Sequence, residues 1–365
     1  MARSPASMTG QSTAFPAPIG GLNTRDSVDL LPETDAIRLD NFFPARSHVQ
    51  VRNGYDDHVT SLPSTVESLM VYNSGTANTM FAASGSAVYN VTSAGSVGAA
   101  VITSLSNAQF QSVNMTTSGG SFLWICNGED APRHWNGSAW ATPTLGSVTA
   151  ANIINVEVYQ ERLFFVLTDS LTYGYLPVNS IAGTVASVNL GSVFSKGGKL
   201  MAISTWTRDG GSGPDDNILF FTDQGEIAMY SGTDPSDATK WGLVGVYTVG
   251  RPIGRRCMMK VGSDCYLVTE NGLLPMTQVL GTGEAAPNVA LSDKISNSYN
   301  DSVVEFKGTF GWQGVVYPKG GYAAVNVPSS TAGNFIQYII NLETGAWSRF
   351  TNQDGYAWAV FNSDL

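Results

Sequence analysis

The sequence predicts an all-β protein, a β-propeller of about six blades preceded by an extended N-terminal arm. Turn-forming residues replace charged ones, with 39 glycines in 365 residues and only 13% charged residues. Strong helix formers are scarce, and no apolar stripe of helical period exceeds about two turns. From about residue 65, an apolar strand, a tight polar turn and an aromatic-rich strand recur along the chain.

The recurring unit is found six times. Its anchor residues are separated by 42, 41, 55, 47 and 57 residues: Phe81, Leu123, Phe164, Leu219, Tyr266 and Ala323. A four-stranded blade needs roughly 40 to 50 residues. Five units carry a dipeptide that hairpin turns prefer: Ser84-Gly85, Asn127-Gly128, Gln224-Gly225, Asn271-Gly272 and Thr344-Gly345. Small sheets that are apolar on both faces bury those faces by stacking around an axis, so a propeller fits best.

Residues 1–55 are predicted to form an arm, and residues 56–365 the propeller domain. Prolines and a glycine pair disfavour regular structure in 15–25, and one helical turn is expected within 30–40, capped by Thr34 or Asp35. An apolar arm cannot bury itself alone, so it should lie along its own domain or a neighbouring subunit. The side chains assigned to docking between subunits are Phe15, Ile19, Leu22, Leu30, Leu31, Phe42 and Phe43.

The end of the sequence, residues 357–365, has the pattern of an apolar strand running into a turn. A blade that stopped there would expose an unpaired edge. Either the arm supplies the missing strands, or the last blade is incomplete within this sequence. We favour the second alternative and expect the natural chain to continue past Leu365.

Charge and composition argue against several classes of protein. The net charge is −10, and the 19 basic residues are scattered except for Arg251, Arg255 and Arg256, so strong binding of nucleic acid is not expected. An apolar run long enough to span a membrane is absent from the sequence, as is a signal-peptide pattern at its start. The three cysteines, Cys126, Cys257 and Cys265, are predicted to be buried free thiols.

The sequence contains no catalytic motif, and we predict a protein that is not an enzyme and uses no cofactor. The three histidines lack the spacing of metal ligands, and His134 is interpreted as a polar loop residue. The acidic loop 208–216 has the oxygen ligands that Ca²⁺ prefers but not EF-hand spacing, which favours a solvated connection. Most tryptophans and tyrosines lie in apolar strands, where packing between blades explains them.

Three stretches resemble the tail hub and nozzle proteins of short-tailed bacteriophages, which include the packaged-DNA stabilisation class of tail accessory factors. They are the arm (19–25, 31–32, 39–44 and 51–55), the turn region 127–140, and the run formed by 200–206, 218–230, 250–254 and 266–272. The resemblance covers most of the chain. It implies a virion protein, assembled in the host cytoplasm, that forms a ring of six subunits below the portal and adaptor and encloses the channel through which DNA leaves.

The function expected from this resemblance is mechanical. The hexameric ring would extend the ejection channel, connect the portal and adaptor to distal tail proteins, and let genomic DNA pass through without holding it. One alternative is a propeller that binds carbohydrate or a host receptor, tested by loss of glycan binding on Trp135→Ala or Trp140→Ala. Another is a glycan-degrading propeller enzyme, which would need paired carboxylates in a central pocket.

Overall fold

The protein is a six-bladed β-propeller, as predicted. The computed structural model describes residues 14–209, 214–282, 289–330 and 333–365. Six small antiparallel sheets follow one another along the chain, and every predicted repeat lies in its own sheet. Blades 1 and 5 have three main strands and the other four blades have four.

The strands of each blade pair with their neighbours in sequence order. Blade 1 contains Val66–Asn73, Asn78–Ser84 and Ala87–Asn90. Blade 2 contains Gln111–Thr117, Gly120–Cys126, Arg133–Trp135 and Trp140–Ala141. Blade 3 contains Ile153–Tyr159, Arg162–Leu167, Thr172–Tyr175 and Ala186–Asn189. Blade 4 contains Leu200–Asp209, Pro214–Thr222, Glu226–Gly232 and Trp241–Thr248. Blade 5 contains Met258–Val261, Asp264–Thr269 and Gly272–Pro275. Blade 6 contains Gln313–Tyr317, Tyr322–Pro328, Phe335–Asn341 and Trp347–Thr351.

Short pairs of strands lie outside the blades. Two are in the arm, where Gly21–Leu22 pairs with Asp35–Ala36 and Phe42–Pro44 pairs with Val49–Val51. Two connect neighbouring segments, Val59–Thr60 with Gly95–Ser96 and Leu145–Gly146 with Gly183–Thr184. The glycine of each of the five predicted turn dipeptides has a positive φ, as hairpin turns require: Gly85, Gly128, Gly225, Gly272 and Gly345.

Each blade is apolar on both faces because successive side chains of a strand point to opposite sides. In blade 2, Leu123 packs with Phe81 in the cluster facing blade 1, whereas Trp124 faces blade 3. The Trp124 ring lies 5.0 Å from the ring of Phe165. The core is therefore a series of layers between consecutive blades, which is the packing that the sequence predicted.

A helical segment follows the third strand of blade 5. It consists of Met276–Thr282, a 3₁₀ turn at Asp293–Ile295, and Ser296–Phe306; a further 3₁₀ turn lies at Ala150–Asn152. Tyr299 and Val303, four residues apart on one face, are buried among blades 5 and 6. The sequence did not predict these helices. They cover part of blade 5, which has three strands among the described residues.

Two local predictions were wrong. The helical turn expected within 30–40 is absent, because Asp35–Ala36 forms a parallel pair with Gly21–Leu22 instead. Residues 357–365 form no strand beyond one bridge between Phe361 and Asp364, and blade 6 already has its four strands.

The last residues instead lie between blades 6 and 1. The backbone N–H of Trp358 donates to Gln313 of blade 6 at 2.9 Å, and the Asn78 amide of blade 1 donates to Asn362 at 2.9 Å. The segment therefore connects the last blade to the first and helps to close the ring of blades.

Candidate functional site: the arm surface and the channel mouth

The arm is anchored on the outer side of blade 6 and on the helical segment of blade 5. Leu22 and Leu39 are buried in the same cluster as Trp347 of blade 6. The Asp35 carboxylate is buried and accepts hydrogen bonds from Lys294 Nζ at 2.8 Å and from Asn23 Nδ2 at 2.9 Å. Apolar contact and a buried ion pair thus fix the inner side of the arm to its own propeller.

A second ion pair connects the arm to the last strand of blade 6. Arg349 donates two hydrogen bonds to Asp40, from Nε at 2.7 Å and from Nη2 at 3.0 Å. Arg38 donates to the same carboxylate at 2.6 Å, but its side chain is mostly exposed. The Arg349 pair is partly shielded and bidentate, the geometry in which such contacts are strongest.

Replacing Asp40 with asparagine is expected to weaken arm docking by about 1.5–3 kcal/mol, because two charged hydrogen bonds are lost. Hydrogen exchange of the amides of Asn41 and Arg349 measures this change, since each donates to a carbonyl across the contact between the arm and blade 6. Arg38→Gln is the matched control and should leave the exchange near wild type. Equal protection in Asp40→Asn and wild type would contradict the assignment.

Acid should loosen the same contact. Burial, the largest influence on Asp40, opposes ionisation, but the hydrogen bonds from Arg349 and Arg38 outweigh it, so the pKa of Asp40 lies below its usual value. The stabilisation is therefore complete above the unfolded pKa of about 4 and is lost as the pH falls through the lower pKa of the docked arm. Exchange at Asn41, corrected for its intrinsic pH dependence, should accelerate below about pH 4 in the wild type and less in Asp40→Asn.

The outer side of the arm exposes large apolar side chains. Of the seven residues predicted for docking between subunits, Leu22 is buried, while Ile19, Leu31 and Phe43 are half-buried against this chain. The other three are exposed, with 88% of Phe15, 75% of Leu30 and 42% of Phe42 accessible. Docking of these residues on a neighbouring subunit stays a prediction. Only the three exposed side chains are free to make such a contact.

Four more exposed apolar side chains lie in the arm and were missed by the sequence reading: Val28, Ile37, Val51 and Tyr55. Each has no large apolar neighbour on either side in the sequence, so only the docked conformation shows that it is exposed. Among the described residues, 14 large hydrophobic side chains are exposed, and seven of them belong to residues 14–55. We call these seven residues the arm surface.

A cavity of about 340 Å³ lies at one end of the central channel. Its walls are the segments that enter the first strands of blades 2 to 6 and the turns after the second strands of blades 3 and 4. The charged side chains in its lining are Asp169, Lys199, Asp223, Arg255, Arg256 and Lys307. We call it the mouth cavity.

Arg251, Arg255 and Arg256, the only tight group of basic residues in the sequence, have different environments in the folded protein. Arg251 is exposed, and its Nη2 donates to Gln224 at 3.0 Å. Arg256 is partly buried and donates to Glu67 O at 2.9 Å, and burial lowers its pKa to about 10, so that it stays charged at neutral pH. Arg255 is half-buried and lines the mouth cavity.

One partly buried carboxylate has only a long ion-pair contact. Glu157 of blade 3 has a raised pKa because of its burial, with Lys260 Nζ of blade 5 at 4.0 Å. Lys260 donates instead to Thr205 of blade 4 at 2.6 Å. Glycoside hydrolysis needs a pair of carboxylates. The neighbours of Glu157 described above are a lysine and a threonine, so they do not form such a pair with it.

Other candidate groups are accounted for by packing. The three cysteines are free and buried, as predicted, and burial raises the pKa of each thiol, which makes them poor nucleophiles. His134 lies in a strand rather than a loop, with its ring edge-on to Phe122. Within the described ranges, no cluster of three or more His, Cys, Asp or Glu side chains has the arrangement of a metal site. The loop considered for Ca²⁺ lies partly outside the described residues.

Comparison with known proteins gives this chain neither a family nor an activity. No protein-family model and no curated protein matches the sequence. Among solved structures, the chain is similar to the Swd1 β-propeller domain of Myceliophteria thermophila, with 11% identity, a TM-score of 0.49, and coverage of 80% of this chain and 88% of that chain. It is also similar to a quinonprotein alcohol dehydrogenase-like protein of Bacteroides thetaiotaomicron, with 12% identity, a TM-score of 0.48, and coverage of 80% and 68%. At these identities and TM-scores, no family and no activity follows from either likeness.

No helix in the described ranges combines the length and the apolar character needed to cross a lipid bilayer.

Proposed function

We propose that this protein is a structural, non-enzymatic subunit of a bacteriophage tail, located in the virion as part of a hub or nozzle ring. Six copies would extend the DNA ejection channel and connect the portal and adaptor to the distal tail proteins. The arm surface is the observation that carries this proposal. Exposed large apolar side chains are candidates for protein contacts, and half of those among the described residues lie within residues 14–55.

The way in which the arm is held supports a ring contact. Its inner side is fixed to blades 5 and 6 by ion pairs, so the outer side is presented in a defined position. A preorganised surface loses little conformational entropy on association. A contact between the arm of one copy and a different surface of the next copy is heterologous. Heterologous contacts form a closed ring when the repeated rotation from copy to copy returns to the first copy.

The charge of the chain suits a conduit for DNA. Nonspecific binding to duplex DNA is dominated by the release of counterions from the phosphates when basic side chains neutralise them. A protein with a net charge of −10 gains little from this release. DNA is expected to pass through the ring lumen without being held there. The lumen of the ring is distinct from the mouth cavity, which lies within one propeller.

The proposal is tested by electron microscopy of the purified protein in negative stain, together with mass measurement in solution. The expected result is a closed ring of six copies whose mass does not depend on salt concentration. In the same preparation, duplex DNA should show no tight binding at physiological salt. A stable monomer at a protein concentration of about 10 µM, or tight binding of duplex DNA, would refute the proposal.

The carbohydrate-binding alternative gains no support from the two tryptophans that the sequence offered for it. Trp135 and Trp140 pack on Phe81, with ring centroids 5.2 and 4.9 Å away. Both are partly buried and pack against the core between blades 1 and 2. Replacing either with alanine would lower stability whether or not the protein binds a glycan, so these variants do not test the alternative.

A further inference from the structure

The mouth cavity concentrates positive charge in an acidic protein. Four of its lining side chains are cationic and two are anionic: Lys199, Arg255, Arg256 and Lys307 against Asp169 and Asp223. Such a local excess is unexpected when the whole chain carries −10. Low-dielectric walls strengthen the field inside a cavity of this kind.

The two lysines already have partners. Lys199 Nζ donates to Asp169 at 2.6 Å, and its backbone N–H donates to Asp223 at 2.9 Å. Lys307 Nζ forms an ion pair with Glu270 at 3.1 Å. Asp169 is therefore paired with a lysine, and it attracts Arg255 only at longer range, as does Glu129.

Neither guanidinium has a carboxylate oxygen within 4.0 Å among the residues that the structure describes. Arg256 uses its donors on backbone carbonyls, including Tyr356 O at 3.2 Å, and on a serine hydroxyl. Arg255 donates no hydrogen bond to any described residue, although burial lowers its pKa. The five N–H donors of this half-buried side chain are therefore available to water or to a ligand.

The turn of blade 2 makes room for Arg255. Gly128, with φ +81°, lies beside the guanidinium, and a Cβ at this position would come within 3.3 Å of Arg255 Nη1 and 2.8 Å of Ile154 Cγ2. A larger residue would therefore displace the guanidinium or Ile154. Arg255 thus extends across the channel mouth from blade 5 to the turn of blade 2, and the residue belongs to the lining of the mouth cavity.

We propose that the mouth cavity binds a small molecule carrying an oxyanion, phosphate or carboxylate, and that Arg255 holds this group. A planar guanidinium matches either group with two parallel hydrogen bonds. The buried charge of Arg256 in the wall adds attraction without using further donors. The volume of about 340 Å³ suits a small ligand, near the lower end of the usual range for such sites.

Calorimetric titration with inorganic phosphate, pyrophosphate and citrate tests the proposal and separates phosphate from carboxylate ligands. The wild-type protein should bind at least one of the three with a saturable isotherm. Arg255→Gln should weaken that binding about tenfold or more, which corresponds to about 1.4 kcal/mol, and Arg255→Lys should give an intermediate affinity.

The control is Arg251→Gln, which removes the same charge from the same segment at an exposed position and should stay within about twofold of the wild type. Because Arg255 makes no hydrogen bond to the described residues, Arg255→Gln is expected to fold with the wild-type melting temperature. The proposal is overturned if no probe binds the wild type up to about 10 mM, or if Arg255→Gln binds as tightly as the wild type.

Discussion

Replacing Arg256 with leucine is expected to lower the free energy of unfolding by about 3–5 kcal/mol, the largest stability effect that we predict for one side chain. The guanidinium donates to Glu67 O at 2.9 Å and Ser68 Oγ at 2.6 Å in blade 1, and to Phe110 O at 3.2 Å at the start of blade 2. It also donates to Tyr356 O at 3.2 Å in the terminal segment. One residue at the entrance to blade 5 therefore connects three other parts of the ring.

The magnitude follows from the acceptors that the leucine variant leaves behind. Each buried polar group that loses its partner costs about 1–3 kcal/mol, and three carbonyls lose a charged donor. Burying a charge is itself costly, so part of this loss is offset when the arginine is removed. The ring of Phe310, 5.1 Å from the guanidinium carbon, also loses a cation–π contact.

Urea unfolding followed by tryptophan fluorescence measures the change. Arg251→Leu is the matched control, because Arg251 lies five residues away, is exposed and has one hydrogen bond to Gln224. That control should change the midpoint little. If Arg256→Leu unfolded at the same urea concentration as Arg251→Leu, Arg256 would not be the connection between blades that its hydrogen bonds indicate.

The double substitution Leu30→Ser with Phe42→Ser is expected to convert the ring into monomers, provided that the arm surface forms the contact between copies. Burying two such side chains contributes about 4 kcal/mol to each contact. Losing that amount weakens the association of each pair of subunits about a thousandfold. Both side chains are exposed in the single chain, so the melting temperature of the isolated propeller should not fall.

Sedimentation velocity of the wild type and of the variant at equal concentrations measures the effect. The matched control is Leu243→Ser with Val244→Ser on the last strand of blade 4, where the two side chains are 46% and 49% exposed. The control should remain a ring. An arm variant that assembled as the wild type does, or a control that dissociated equally, would exclude the arm surface as the contact.

Most of the fold was predictable because its determinants are local. The turn dipeptides, the spacing of the anchors and the two-sided apolar strands each follow from a few consecutive residues, and all six blades lie where these features placed them. The helix Ser296–Phe306 escaped prediction because serine, asparagine and aspartate dominate its first half and favour helices weakly. It forms because Tyr299 and Val303 are buried against blades 5 and 6, a contact that the segment by itself does not reveal.

The candidate sites were predictable only in part. The sequence showed that the arm is apolar, but its docking on blade 6 decides that Leu22 is buried and Leu30 is exposed. The sequence also showed three clustered arginines, but not that each would meet a different environment. The walls of the mouth cavity come from segments that begin near residue 109 and end near residue 312.

By itself, the sequence determined the number of blades and their order, because hairpin turns and alternating apolar side chains act over a few residues. Only the tertiary structure decided the roles of two adjacent residues, Arg255 and Arg256. Both residues line the mouth cavity, but Arg256 donates to carbonyls from other parts of the ring, whereas Arg255 donates to no described residue. The environment of a charge depends on the whole ring, so no local pattern encodes it.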